Sequence, residues 1–170
     1  SKIDFEWRDW SGVDYKTAVR IDIRDCTLKL GNGATLDLPE WKLVWHDEFD
    51  GTALDLTKWT PENAALNKNN ELEFYSPANV SLKDGCLVLI SEIREKGGRP
   101  YTSGLVDTRK TFSQAFGRFE IRARLPRGKG IWPAHWMLPA DGSWPPEIDI
   151  MELLGHEPAK VHQPLHYGTG

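Results

Sequence analysis

The sequence has few of the features that mark membrane proteins and nucleic-acid-binding proteins. No run of its 170 residues approaches the ~20 apolar residues that cross a bilayer. The net charge of −4 argues against a nucleic-acid partner, which usually calls for a basic face. With 39% hydrophobic and 27% charged residues, the composition predicts a globular protein with neither a membrane nor a nucleic acid as its partner.

Cysteine is also scarce, since only Cys26 and Cys86 are present, and neither has metal-ligand spacing around it. The two thiols could form a disulfide in an oxidising compartment or remain two small buried side chains, and both interpretations stay open. The residues from Ser1 to Asp4 show no signal-peptide pattern. We therefore expect any export signal to have been removed or to lie outside this sequence.

Helix signals are rare, and short apolar runs broken by Gly, Pro, Asn and Asp predict an antiparallel all-β fold. The expected hairpin turns are Asp84-Gly85 and Gly97-Gly98. The predicted strands are Ala18–Ile23, Leu43–Glu48, Val80–Lys83, Cys86–Glu92, Gly104–Asp107, Ala115–Leu125, Trp132–Leu138, Glu147–Glu152 and Lys160–Tyr167.

Aromatic residues are abundant, with eight tryptophans, and three of them (Trp132, Trp136 and Trp144) lie near a cluster of carboxylates. A tryptophan can fill a core or stack its flat face on a sugar ring. Either role suits any single tryptophan, but several tryptophans beside paired carboxylates favour a sugar-binding cleft.

The carboxylates lie in the segment from Glu147 to Glu152. In a regular strand Glu147 and Asp149 share one face, whereas Glu152 would point into the core, where an unpaired carboxylate is costly. One extra residue, a β-bulge at Ile150-Met151, would return Glu152 to the polar face. Three close carboxylates raise one another's pKa, which suits glycoside hydrolysis by an acid and a nucleophile. A solvated acidic strand is the alternative.

Four motifs in this order resemble glycoside hydrolase family 16, and its laminarinase-like members most. These motifs are LVWHDEFDG (43–51), GRFEIRARLP (117–126), GIWPAHWMLP (130–139) and EIDIME (147–152). The resemblance runs from Trp41 to Gly170. It implies a jelly-roll β-sandwich of two curved antiparallel sheets with an open glycan cleft, incomplete in this chain. It leaves residues 1–40 as an N-terminal extension or the tail of a preceding module.

The resemblance also implies a secreted, retaining endo-β-glucanase that acts on β-1,3-glucan or mixed β-1,3/1,4-glucan. Glu147 matches the nucleophile, Glu152 the acid/base, and Asp149 the residue that holds and tunes the nucleophile. Alternatives are a depolymerase of a bacterial exopolysaccharide, a hydrolase of an algal galactan, or a glycan-binding sandwich without catalysis.

Further positions match residues that contact the glycan in the family. Trp132, Trp136 and Trp144 correspond to the aromatic residues of the cleft, and His162 and His166 share a face of the following strand. Arg109 and Asn67 match polar residues that hold the non-reducing side of the glycan.

The resemblance implies no cofactor for catalysis, but relatives can hold a structural calcium ion. Main-chain oxygens at Glu48 and Gly85 match two calcium ligands, whereas the third, an acidic residue close to the family's C-terminus, has no match here. We expect a polysaccharide substrate as partner. A separate chain or segment would complete the sandwich.

Overall fold

The computed structural model describes residues 18–23, for which only the backbone is described, and residues 42–168. The chain divides into two compact units, residues 1–123 and residues 124–170, called here the first unit and the second unit. Regular structure in the described part consists of fourteen strands and one short 3₁₀ turn at Pro77–Asn79, so the predicted all-β class is confirmed. No helix among these residues has the length and apolar character needed to span a membrane.

The first unit contains ten of the strands, and their pairings are antiparallel with one exception. They are β1 Ala18–Ile23, β2 Lys42–Asp47, β3 Thr60–Pro61, β4 Glu73–Tyr75, β5 Val80–Lys83, β6 Cys86–Leu89, β7 Glu92–Lys96, β8 Arg99–Ser103, β9 Val106–Asp107 and β10 Arg118–Arg122. The sheets are β10-β1-β2, β4-β8-β7, β3-β9 and β5-β6. The exception is the parallel β4-β8 pair, which the chain can form because β5 to β7 make the long connection that parallel strands need.

The sequence predicted some of these strands too long and missed others. Ala18–Ile23 and Val80–Lys83 have the predicted bounds. The predicted strand Cys86–Glu92 ends at Leu89, and a new strand begins at Glu92. Both predicted turns are present, because Asp84-Gly85 joins β5 to β6 and Gly97-Gly98 joins β7 to β8, with all four residues at positive φ.

The core of the first unit is built from aromatic residues around one carboxylate. Phe49 and Trp59 are buried and stack with their ring centroids 5.9 Å apart, and Trp45 meets Trp59 edge-on at 5.1 Å. Asp47 is buried beside them, and its Oδ2 accepts a hydrogen bond of 2.9 Å from the indole nitrogen of Trp59. This contact satisfies a carboxylate that would otherwise be expensive to bury.

A second group of contacting side chains in the first unit is polar throughout, and three of its five members are buried. We call it the polar cluster. It consists of Ser76, Asn79 and Thr102, which are almost fully buried, together with the side chains of Arg94 and Lys96. Arg94 donates to Asn79 Oδ1 at 2.6 Å and to Thr102 Oγ1 at 3.2 Å. Lys96 donates to Ser76 Oγ at 2.8 Å. Hydrogen bonding therefore replaces apolar packing here.

The second unit is a small antiparallel sheet around one long strand. Its strands are β11 Ala134–Met137, β12 Glu147–Leu153, β13 Val161–His162 and β14 Leu165–His166. β12 is central, because it pairs with β11 on one side and with both β13 and β14 on the other. The predicted single strand Lys160–Tyr167 is therefore wrong, since Gln163 and Pro164 interrupt it.

Main-chain bonds extend the β11-β12 pairing beyond the strands themselves. Gly155 donates to Ile131 O at 2.8 Å and accepts from Gly128 N at 2.9 Å. A Cβ at Gly155 would lie 2.3 Å from Gly128 O, so only glycine allows the two backbones to approach this closely. These bonds continue the pairing past the C-terminal end of β12.

Candidate active site

The predicted β-bulge is present in β12. Opposite the consecutive β11 residues His135 and Trp136 stand Met151 and Asp149, so Ile150 is the extra residue. A bulge of this kind shifts the side-chain alternation by one position. Glu152 consequently lies on the face of Glu147 and Asp149, whereas Met151 and Leu153, which are both buried, lie on the opposite face. The prediction that Glu152 avoids the apolar layer is confirmed.

Glu147, Asp149 and Glu152 lie close together on this face, and we call them the carboxylate triad. Asp149 is 3% exposed. Burial and then the charge of Glu147 raise its pKa, while His166 opposes the rise. Burial and then the charge of Asp149 likewise raise the pKa of Glu152, with a smaller contribution from Glu147. Crowded like charges and burial thus favour the protonated carboxyl at two of the three positions.

Each member of the triad has one nitrogen donor on an aromatic ring. Trp144 Nε1 donates to Glu147 Oε2 at 2.7 Å. His166 Nε2 lies 3.2 Å from Asp149 Oδ2. The Trp132 side chain forms a hydrogen bond with Glu152 and lowers its pKa, against the larger effect of burial. Two of the three tryptophans predicted to lie in the cleft, Trp144 and Trp132, therefore also contact the carboxylates directly.

The strands on either side of β12 place the other predicted residues next to the triad. His166 stands opposite Glu147, and His162 stands opposite Glu152. Trp136 stands opposite Asp149 on β11. Directly opposed residues of an antiparallel pair share a face, so these side chains lie on the face of the triad.

A pocket of about 500 Å³ opens beside Glu152. Its walls are formed by Trp132, Glu152, Leu154, Val161, His162, Gln163 and Pro164. His162 Nε2 is buried and has no hydrogen-bond partner among the described residues. The pocket thus combines a tryptophan and a carboxyl, which are groups that a sugar can contact.

The opposite face of the same strands is apolar and contains His135. This residue stands opposite Met151, and burial lowers its pKa to about 4. His135 therefore remains neutral at physiological pH. It takes no part in the charge balance of the triad.

Two of the predicted glycan contacts lie in the first unit and have partners there. Arg109 forms an ion pair of 3.1 Å with Asp107 and is exposed. Asn67 Oδ1 accepts a hydrogen bond of 2.8 Å from Arg99, at the edge of a polar pocket of about 300 Å³. Their roles toward a glycan stay predictions.

The predicted calcium ligands are also in the first unit. Glu48 directly follows β2, and Gly85 lies in the turn between β5 and β6 with φ of 68°. Two main-chain oxygens fall short of the six to eight oxygen ligands that calcium takes. No group of three or more His, Cys, Asp or Glu residues able to hold a metal is found within residues 18–23 and 42–168. This donor set by itself does not fit a calcium ion.

Both interpretations of Cys26 and Cys86 stay open, because Cys26 lies outside the described residues. Most of the predicted N-terminal extension, residues 1–40, lies outside them as well. The part that is described, β1, stands between β2 and β10 in a three-stranded sheet. The domain boundary at residue 40 stays a prediction.

The sequence did not point to Gln163 as a site residue. Gln163 lines the pocket, and its side-chain nitrogen donates to Ile150 O at 3.0 Å. The signal that could have revealed it is Pro164, because a proline within a strand removes a ladder donor and marks an interruption.

Comparison with known proteins identifies the family. The family model "Glycosyl hydrolases family 16" matches residues 53–170. The chain belongs to this family. The "Beta-glucanase" of Rhodothermus marinus is 42% identical over 163 residues, which cover 89% of this chain and 57% of that protein. The "Glucan endo-1,3-beta-glucosidase A1" of Niallia circulans is 35% identical over 185 residues, which cover 94% of this chain and 27% of that protein.

The fold of this family 16 chain resembles that of a solved relative. The X-ray structure of the laminarinase from Rhodothermus marinus superposes with a TM-score of 0.71 at 42% identity, covering 75% of this chain and 56% of that one. The predicted jelly-roll β-sandwich is confirmed as the fold class. The chain spans little more than half the length of this laminarinase chain.

Proposed function

We propose that this chain forms part of a retaining endo-β-glucanase that hydrolyses β-1,3-glucan or mixed β-1,3/1,4-glucan. The observation that carries the proposal is the bulge at Ile150, which keeps Glu147 and Glu152 on one face with Asp149 between them. Two carboxyls on one face, one to act as nucleophile and one as acid/base, are what retaining hydrolysis of a glycosidic bond requires.

The roles of the two glutamates follow from their surroundings. Burial and the charges of Asp149 and Glu147 raise the pKa of Glu152, so Glu152 is suited to carry the proton for the leaving oxygen. Glu147 Oε2 accepts a hydrogen bond from the indole N–H of Trp144, which holds one carboxylate oxygen in place. Glu147 is therefore the proposed nucleophile and Glu152 the acid/base.

The reaction proceeds in two displacements. A carboxylate oxygen of Glu147 bonds to the anomeric carbon, the glycosidic C–O bond breaks, and the proton of Glu152 passes to the departing oxygen. Glu152, now ionised, then takes a proton from water, whose oxygen attacks the anomeric carbon and displaces Glu147. Both glutamates return to their starting states. His166, next to Asp149, limits the build-up of negative charge between them.

The pocket beside Glu152 supports a polysaccharide substrate that extends past the cleaved bond. Trp132 and Trp136 supply ring faces on the side of the triad, and Trp132 also lines the pocket. The relatives are named as a beta-glucanase and a glucan endo-1,3-beta-glucosidase, which favours β-glucan. Because a polysaccharide substrate of this kind lies outside the cell, we expect the enzyme to be secreted.

The function is tested by reducing-sugar release from laminarin, lichenan, agarose and a succinoglycan-type polymer. We expect hydrolysis of laminarin or lichenan, with products of the β configuration when first formed, as followed by proton NMR. Release from the galactan or the exopolysaccharide alone would overturn the substrate class, and products of the α configuration would overturn the retaining mechanism.

The two roles are separated by Glu147→Ala and Glu152→Ala, each of which should lower kcat by about a thousandfold or more. With an aryl β-glucoside, whose leaving group departs without a proton, added azide should restore turnover in both variants, because it replaces the nucleophile in the first and attacks the glycosyl-enzyme in the second. The product should be the α-glycosyl azide with Glu147→Ala and the β-glycosyl azide with Glu152→Ala. The reverse pattern would exchange the two roles.

A further inference from the structure

The strand that faces the bulge is interrupted where the extra residue lies. β13 ends at His162 and β14 begins at Leu165, so Gln163 and Pro164 stand opposite the three β12 residues from Asp149 to Met151. Pro164 has no N–H, so its main chain cannot donate to β12. Its carbonyl still accepts a hydrogen bond of 3.0 Å from Asp149 N.

The missing main-chain donor is replaced by a side chain. Gln163 Nε2 donates to Ile150 O at 3.0 Å, and Ile150 is the residue that the bulge inserts. The extra residue of a bulge is left outside the regular ladder, so its carbonyl needs another partner. Gln163 supplies that partner from the segment between β13 and β14, which lies on the side of β12 away from β11.

We propose that Gln163 is a positioning residue that holds the bulge and thereby keeps Glu152 on the face of Glu147. This inference rests on the proposed function. Gln163 acts through the main chain of Ile150, two residues before Glu152, and contacts neither reacting carboxyl in the described hydrogen bonds. The side chain is exposed, so water can partly replace it when it is removed, and its loss should reduce catalysis moderately.

The test uses Gln163→Met, which keeps the length of the side chain and removes its donor. Lys160→Met is the matched control, because it introduces the same residue in the same segment and removes only an exposed pair with Glu157, 3.8 Å apart. We expect Gln163→Met to lower kcat about fivefold, which corresponds to about 1 kcal/mol, with KM within about twofold of the original. Lys160→Met should leave both unchanged.

The pH profile separates positioning from a merely structural role. Glu147 and Asp149 on β12 and His162 and His166 on the next strands surround Glu152, whereas the facing β11 residues Ala134 and Trp136 do not titrate. A loosened bulge separates Glu152 from the other two carboxylates. The alkaline limb of kcat/KM, where the acid loses its proton, should therefore move to lower pH in Gln163→Met alone.

Three results would overturn the inference. An increase in KM with unchanged kcat would make Gln163 a substrate contact. A lower melting temperature with unchanged kcat and alkaline limb would make its role structural. If kcat, KM, the alkaline limb and the melting temperature all stayed unchanged, Gln163 would have no positioning role. Carbon-13 NMR titration of the Glu152 carboxyl gives a readout without substrate: its pKa should be lower in Gln163→Met than in Lys160→Met. This measurement keeps the inference testable even if the chain hydrolyses none of the glucans.

Discussion

The polar cluster of the first unit and the carboxylate triad of the second both bury polar side chains in β-structure, but they balance charge differently. In the cluster, Arg94 bonds two neutral acceptors and also lies 3.2 Å from Glu92. In the triad, like charges crowd together, and burial and repulsion raise the pKa of Asp149 and Glu152. Polar groups whose hydrogen bonds are all satisfied stabilise a fold. Charges that are incompletely compensated have perturbed pKa values, which are typical of catalytic sites.

The largest effect on folding should come from breaking the polar cluster. Asn79 accepts from Arg94 and donates to Ile90 O at 2.9 Å, so Asn79→Ala removes two bonds and leaves a partly buried guanidinium short of an acceptor. We expect the free energy of unfolding to fall by about 3 kcal/mol, measured by urea denaturation. The kcat of the folded protein should stay within about twofold.

The control for this change is Asn63→Ala on an exposed loop, which should alter the free energy of unfolding by less than about 0.5 kcal/mol. A similar small loss for Asn79→Ala would show that the cluster contributes little to stability. The contrast with the triad would then disappear.

A smaller effect, on catalysis instead of folding, is expected from Trp144→Phe. Phenylalanine keeps an aromatic face for a sugar and loses the N–H that bonds Glu147. Because Trp144 is 63% exposed, the charge-assisted hydrogen bond should be worth about 1.4 kcal/mol, which is about tenfold in kcat. Steady-state kinetics should show this loss with little change in KM.

Trp144→Ala separates the two roles of this residue, because it removes the ring face as well as the donor. We expect KM to rise in the alanine variant alone. If Trp144→Phe keeps full kcat, Trp144 acts only as a sugar platform. The position of Glu147 then depends on other contacts.

The placement of the triad on one face could be predicted from the sequence. Strand side chains alternate between two faces, and an unpaired carboxylate is costly in an apolar layer. A strand that would place Glu152 in an apolar layer demands a bulge, and the structure has it at Ile150. The donors could not be predicted in the same way. A tryptophan face suits a sugar, but only coordinates show that the indole nitrogens of Trp144 and Trp132 also bond carboxylates.

Strand breaks were harder to predict for a similar reason. The run from Lys160 to Tyr167 has the composition of one strand, but Pro164 lacks the donor that a continuous ladder needs. The proline therefore indicated that the ladder is interrupted, but not how the missing donor is replaced. The replacement is the side chain of Gln163, which bonds a carbonyl on another strand. Such long-range compensation has no local signal. The same applies to β4, whose parallel partner is far away along the chain.

The smallest effect expected is a gain in stability from removing charge within the triad. A carboxyl whose pKa is raised by folding costs stability once the pH exceeds its ordinary pKa, because the unfolded chain releases the proton more readily. Glu152→Gln cannot ionise and escapes this loss. Its free energy of unfolding should match the original protein near pH 4 and exceed it by about 0.5 to 1 kcal/mol at pH 7.

Urea denaturation at the two pH values measures this difference, with Glu157→Gln as the control for removing one negative charge from an exposed turn of the same unit. The control should show no gain at pH 7, because Glu157 already has a cationic partner in Lys160. If Glu152→Gln were less stable than the original at pH 7, the charge of Glu152 would be compensated as fully as that of Arg94. The triad would then be a structural cluster like the one in the first unit, and its reactivity would need another source.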